Sequence, residues 1–132
     1  MITGNCLCGA VAYEAEAMAG PIVHCHCRTC QKAHSAAFAT TGRVRREDFR
    51  WTRGADGLRA YPSSPGKLRH FCTTCGSQLI SEWTHEPWVI LRIASVEAGL
   101  DAEPACHIWV SHQARWDHGQ DDLPRYAEGR PA

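Results

Sequence analysis

"CTTCGSQL" (residues 72–79) decides the fold, because "NCLCGA" (residues 5–10), far earlier in the chain, carries the same Cys-Gly step. A sulfur-donating turn must curl its backbone so that N–H groups face the thiolates. A glycine directly after the last cysteine permits the left-handed conformation this needs. Gly9 and Gly76 stand at that place. Cys6, Cys8, Cys72 and Cys75 therefore read as one tetrahedral all-cysteine zinc site of the structural type. Such a site would tie the N-terminal strand to the middle of the chain and stabilise the fold directly. Buried, unligated cysteines are the competing reading, and they account less well for the paired spacing.

Between the two turns lies "HCHCRTC" (residues 24–30), which crowds Cys25, Cys27 and Cys30 together. If Cys25 to Cys27 is extended, both side chains share one face and His26 takes the other. Cys30 then returns from the first turn of a short helix. Three protein ligands with a fourth position left over distinguish catalytic from structural zinc. The residues leave an alternative open: His24, His34, Cys106, His107 or His112 would close that shell. His26 itself reads as a strand residue and Cys106 as a small buried hydrophobe. An ion held by three thiolates sits in a net negative site, a weaker Lewis acid than one held by imidazoles. It suits thiol chemistry, because a coordinating thiol is deprotonated and can be placed against an electrophile. No Ser/His/Asp order, HExxH or phosphate-cradling glycine loop points elsewhere.

Composition agrees with a metal-binding reading. The chain has 132 residues, 44% hydrophobic and 21% charged, which suits a single domain over residues 1–132. Formal net charge is +0 at pH 7, so no global field draws it to nucleic acid or anionic membrane. "MITGNCLCGAVAYEAE" does not resemble a signal peptide, and no apolar run approaches a membrane span. A cytoplasmic setting is expected, where eight clustered cysteines suit metal better than disulfides.

The chain reads as mainly β. "AVAYEAE" (10–16), "PIVHC" (21–25), "AAFATTGRV" (36–44), "SQLISEW" (77–83) and "WVILRIAS" (88–95) predict strands. "RTCQKAH" (28–34) and "SVEAGLD" (95–101) predict single helical turns, and "YPSSPGK" (61–67) a loop. Many short strands separated by turns indicate a small mainly-β fold of antiparallel sheets.

Taken together, "CLCG", "HCHCRTCQKAHSAAFAT", "YPSSPGKLRHFCTTCGSQL", "HIWVSHQARW" and "DDLPRY" resemble the glutathione-dependent formaldehyde-activating enzyme family, the GFA domain shared with centromere protein V. The resemblance runs from Cys6 to Tyr126. It implies a β-tent fold with two zinc ions per chain, one held by Cys6, Cys8, Cys72 and Cys75 and one, catalytic, by Cys25, Cys27 and Cys30. It implies a carbon–sulfur lyase or synthase that joins glutathione to formaldehyde as S-hydroxymethylglutathione, or cleaves such an adduct. In the implied reaction the glutathione sulfur meets the second zinc and attacks the aldehyde carbon. No membrane partner follows, and no oligomeric state.

Other features carry weaker signals. Arg28, Lys32, Lys67 and Arg69 stand beside the metal motifs and would serve as a carboxylate clamp or as ordinary exposed cations. "RVRREDFRWTR" (43–53) interleaves arginines with Phe49 and Trp51, a pattern that binds nucleic acid in other settings. Glu47 and Asp48 dilute it, and a solvated hairpin is the simpler expectation. A zinc-stabilised binding module is accordingly the rival function. Trp83 and Trp88 read as core, while Trp109 and Trp116 read as packing or as walls of a pocket.

Overall fold

The computed structural model describes residues 1–131. In chain order the strands are β1 (Ile2–Asn5), β2 (Ala12–Ala15), β3 (Ile22–Cys25), β4 (Ala39–Arg45), β5 (Phe49–Arg53), β6 (Leu58–Ser64), β7 (Lys67–Cys72), β8 (Gln78–Trp83), β9 (Trp88–Arg92), β10 (Val96–Ala98) and β11 (Pro104–Ile108). One helix, α1 (Arg28–His34), interrupts them after β3, and short 3₁₀ turns link several others. The chain forms two compact units: residues 1–20 with 42–101, and residues 21–41 with the segment from residue 102 onward.

In the first unit, β10-β1-β2-β5 form one antiparallel sheet. The end of β4 and strands β9-β8-β7-β6 form another. β1 buries alternate residues, whereas β8 buries Leu79, Ile80 and Ser81 in succession. Ile2, Val11, Tyr13, Val44, Leu79, Ile80, Val89 and Leu91 bury together with Cys6 and Cys72. Each such aliphatic side chain contributes about 1.5–3 kcal/mol by leaving water. Two cysteines of the four-thiol motif are thus built into the main core.

The second unit holds the start of β4, then β3, then β11. β3 runs antiparallel to β4, pairing His24 with Thr40 and Cys25 with Ala39. β11 runs parallel to β3, pairing His107 with His24 and Ile108 with Cys25. The expectation of mainly-β structure holds, but this sheet is mixed rather than antiparallel throughout. Its apolar core is thin: Cys25, Cys30 and Ala39, with Cys27, Ile108 and Trp109 packed against them. Ile22 and Cys106 are buried as well, and the rest of the burial is polar, at His26, Gln31, Thr41 and His107. Such groups stay buried only when hydrogen-bonded.

Three expectations need correction. "YPSSPGK" is not a loop: Tyr61–Ser64 belong to β6, which pairs with β7 through Tyr61–Arg69 and Pro62–Leu68. β6 is an edge strand, where a proline without an N–H is tolerated. In "SVEAGLD" only Ser95 is in a 3₁₀ turn, and Val96–Ala98 pair with β1. Trp83 is 37% exposed and lies beneath the Lys67 ammonium at 4.9 Å, so it caps a surface rather than filling a core. Trp88 is half-buried, with the Arg43 guanidinium 5.3 Å from its ring.

Candidate metal centres

The two Cys-Gly turns meet. One ligand atom each from Cys6, Cys8, Cys72 and Cys75 lies within 4.8 Å of all the others. Cys8 Sγ is 3.6 Å from Cys6 Sγ and 3.8 Å from Cys72 Sγ. Gly9 and Gly76 have φ of 80° and 78°, the left-handed conformation expected of them. Each turn closes on its first cysteine, Gly9 N–H donating to Cys6 O at 3.1 Å and Gly76 N–H to Cys72 O at 2.8 Å. Val11 N–H donates to Cys6 Sγ at 3.3 Å. Burial pushes the Cys6 thiol up, but that N–H and the neighbouring thiols outweigh it and hold it below its ordinary value. The Ser77 hydroxyl, 3.3 Å from Cys75 Sγ, brings the Cys75 thiol down to about 5. Four converging soft donors, with N–H and O–H groups favouring thiolates, fit a zinc ion.

Arg53 and Ser77 brace this site, and sequence reasoning passed over both. Arg53 donates from Nε and Nη2 to Gly9 O at 3.0 and 2.7 Å, gripping the first turn. Ser77 Oγ accepts from Leu7 N–H at 2.9 Å, joining the two turns. The rest of the arginine-rich stretch is also engaged within the chain. Arg50 pairs with Glu14, Arg45 with Glu47, and Arg46 donates to the carbonyls of Trp83, Glu86 and Trp88.

Cys25, Cys27 and Cys30 likewise converge to within 4.8 Å. β3 delivers Cys25, and Cys27 caps α1 by accepting Cys30 N–H on its sulfur at 3.3 Å. Among the described residues no His, Cys, Asp or Glu joins these three in one cluster; His24 and His107 group with Asp121 instead. Cys106 is buried, as a small hydrophobe. The adjacent Cys27 and Cys30 thiols, reinforced by burial, push the Cys25 thiol steeply up. Three thiols so crowded ionise together only beside a cation, and this donor set also fits zinc.

Around this loop the second unit has a polar framework. Gln31, buried on α1, donates from Nε2 to His26 O at 2.7 Å and to His112 O at 2.8 Å, and accepts from Arg28 at 3.0 Å. Its position immediately after Cys30 was the available signal, but a glutamine in a helix gives no hint of what its amide will bridge. His26 is 1% exposed, its Nε2 2.8 Å from His107 Nδ1. Burial, with a smaller push from His107, lowers the His26 imidazole to about 4. A cleft of about 550 Å³ is lined by Arg28, Gln31, His112, Ala114, Arg115 and Trp116. Trp116, 65% exposed, is a wall of that cleft, while Trp109 packs against the cysteines. Of the four proposed cations, Arg28 lines the cleft and Lys32 is exposed. Arg69 is buried at 6% exposure against Ser63, which rules out the exposed-cation reading for it.

Fold and site together define a small, mainly-β protein with two thiol clusters suited to metal. The family model for the glutathione-dependent formaldehyde-activating enzyme matches residues 1–112, and the chain belongs to that family. It is also similar to the crystal structure of a Rhodobacter sphaeroides protein, with 27% sequence identity and a TM-score of 0.63. That match covers 75% of this chain and 91% of the other. No helix among the described residues is long and apolar enough to cross a membrane.

Proposed function

We propose that residues 1–132 work as one GFA-type zinc-binding domain that joins a glutathione-like thiol to formaldehyde or a similar small aldehyde, or splits the adduct. The observation that carries this reading is the convergence of Cys25 from β3 with Cys27 and Cys30 at the start of a helix whose Arg28 and Gln31 line an open cleft. Zinc held by these three thiolates would supply a soft Lewis acid that favours the thiolate form of a further sulfur ligand. Cys6, Cys8, Cys72 and Cys75 would hold the second, structural ion. In the reaction an S–C bond forms and the carbonyl π pair becomes an oxygen lone pair. The thiol proton ends on the new hydroxyl, and nothing is oxidised or reduced.

The chain's own residues would bind and orient. Arg28 and Arg115 present guanidinium groups to the carboxylates of a peptide thiol, a pairing Arg makes in bidentate fashion. Trp116 covers the apolar part of such a ligand, and the His112 imidazole lines the same cleft as a carrier for the travelling proton. A cytoplasmic setting, where glutathione is abundant, suits this chemistry.

The test is exchange NMR on formaldehyde and glutathione with the zinc-loaded chain. Exchange through S-hydroxymethylglutathione should exceed the uncatalysed rate, and Arg115→Ala should raise KM for glutathione about tenfold with kcat retained, as expected for losing one charge-assisted pair. Exchange no faster than in buffer would remove this thiol and aldehyde from consideration.

A further inference from the structure

We propose that His24, His107 and Asp121 form a third metal site, of two imidazoles and one carboxylate, for a borderline first-row divalent cation. It is separate from both thiol clusters, and its carboxylate comes from beyond residues 1–112, the part that matches the family. One ligand atom from each of the three residues lies within 4.8 Å of the other two.

The sheet builds the pair of histidines. His24 on β3 and His107 on β11 are register partners in a parallel pairing, so their side chains emerge side by side, ring centroids 4.9 Å apart. Asp121 is brought to them by the C-terminal segment, which hydrogen-bonds along β11 through His107 N–H to Pro124 O and Tyr126 N–H to His107 O. Asp121 is itself fixed, its Oδ1 accepting Leu123 N–H at 3.0 Å.

Each imidazole spends its Nδ1 on a neighbour. His24 Nδ1 is 2.8 Å from Thr40 Oγ1, and His107 Nδ1 is 2.8 Å from His26 Nε2. Metal-ligating histidines are oriented in this way, by a hydrogen bond from the nitrogen that does not ligate. The Nε2 atoms remain. His107 Nε2 faces both Asp121 oxygens, at 2.9 and 3.0 Å.

The hydrogen positions are compatible with a cation there. A single hydrogen sits between His26 Nε2 and His107 Nδ1. If it rides on His26 Nε2, the buried His26 Nδ1 is a bare acceptor, without a hydrogen-bond partner and 4.0 Å from the Asp117 carboxylate. If it rides on His107 Nδ1, His26 Nδ1 carries a hydrogen towards Asp117, as a buried nitrogen beside an acid should. If His107 then carries no second hydrogen, its Nε2 lone pair faces the two carboxylate oxygens, a place that a cation would fill. A divalent cation bound by His107 Nε2, His24 Nε2 and Asp121 satisfies every one of these atoms. Two imidazoles and a carboxylate select borderline metals such as Co2+, Ni2+, Fe2+ or Zn2+ rather than the soft ions preferred by thiolates.

The experiment uses the full chain with its thiol clusters saturated by zinc, titrated with Co2+ and measured for metal content and visible absorption. A third equivalent should bind with d–d bands but no thiolate-to-cobalt charge transfer. Asp121→Asn, which keeps an oxygen for Leu123 N–H, should weaken it at least tenfold, and His24→Gln should abolish it. His85→Gln, at an exposed histidine outside the site, should change nothing. Retention of two zinc equivalents in each variant shows that the fold survives. The proposal is overturned if binding stops at two equivalents, if the third shows sulfur charge transfer, or if it persists undiminished in both Asp121→Asn and His24→Gln.

Discussion

The two thiol clusters are set in opposite surroundings. Cys6 and Cys72 of the four-thiol group belong to the largest apolar cluster of the molecule, beside Val11, Leu79 and Leu91. Cys25 and Cys30 belong with Ala39 to a small apolar cluster in the other unit, where His26, Gln31, Thr41 and His107 are buried polar residues. Both groups present sulfur at similar spacing, yet one is embedded in hydrocarbon and the other is suspended in hydrogen bonds. The contrast suggests a division of labour. An ion in the first would strengthen a core that already buries much surface, whereas the second unit spends its interior on positioning polar atoms next to an open cleft.

The sharpest way to break the comparison is to remove one sulfur from each group. Cys72→Ser takes a ligand from the core, and since structural zinc is worth on the order of 10 kcal/mol to small domains, the near-UV CD signal should be lost at 25 °C. Cys27→Ser removes a half-buried thiol at the start of α1. It should leave the first unit's melting transition within a few degrees of wild type while abolishing catalysed exchange. If Cys27→Ser melts the chain as completely as Cys72→Ser, the two clusters play the same structural part and the contrast is void.

Much of this contrast is legible in the residues, because it rests on local spacing. Cys8-Gly9 and Cys75-Gly76 announce two left-handed turns, and "RTCQKAH" announces a helical turn that carries Cys30. Strands such as 77–83 show as short β-branched or aromatic runs bounded by turn residues. What stayed hidden depends on partners far apart in sequence. Nothing in "HIWV" says that β11 will lie parallel to β3, so the His24–His107 pair has no signature. Backbone ladders accept most residue types, and pairing therefore leaves little trace in composition. Arg53 reads as one more cation in a charged run, and only the folded turn reveals its two bonds to Gly9 O. Trp83 and Trp88 read as core because aromatics usually are, but a cation over each ring lets them cap a surface.

Alkaline titration sharpens the comparison from the side of the first unit. Tyr13 is 1% exposed in its core, and burial pushes its hydroxyl up to about 12, against a smaller opposing pull from Ser95 Oγ at 2.7 Å. The folded state holds this proton more tightly than the unfolded chain, whose tyrosines titrate near 10. The contribution is therefore fully present below pH 10 and is lost as pH rises towards 12, by on the order of 2 kcal/mol. Denaturant unfolding of the zinc-loaded protein should show this decline above pH 10, and Tyr13→Phe should flatten it. A decline of equal slope in Tyr13→Phe would assign the alkaline sensitivity elsewhere.

The smallest expected effects have opposite signs in the two regions. Gly76 sits at φ 78° in the four-thiol turn, and a Cβ added there would meet nothing within 4 Å. Gly76→Ala thus costs only the left-handed penalty of an L residue, about 1–2 kcal/mol. In the other unit a left-handed residue that is not glycine ends α1. Ser35 ends α1 at φ 49°, its N–H bonded to Gln31 O, so the helix carrying Cys30 closes on a strained residue. Ser35→Gly relieves that strain while adding chain entropy to the unfolded state, for a net gain of a few tenths to about 1 kcal/mol. Chemical denaturation resolves both, provided each variant keeps the wild-type dependence on denaturant. If both substitutions destabilise, the Ser35 side chain is itself supporting the three-thiol loop, and that loop is more firmly built than its thin core implies.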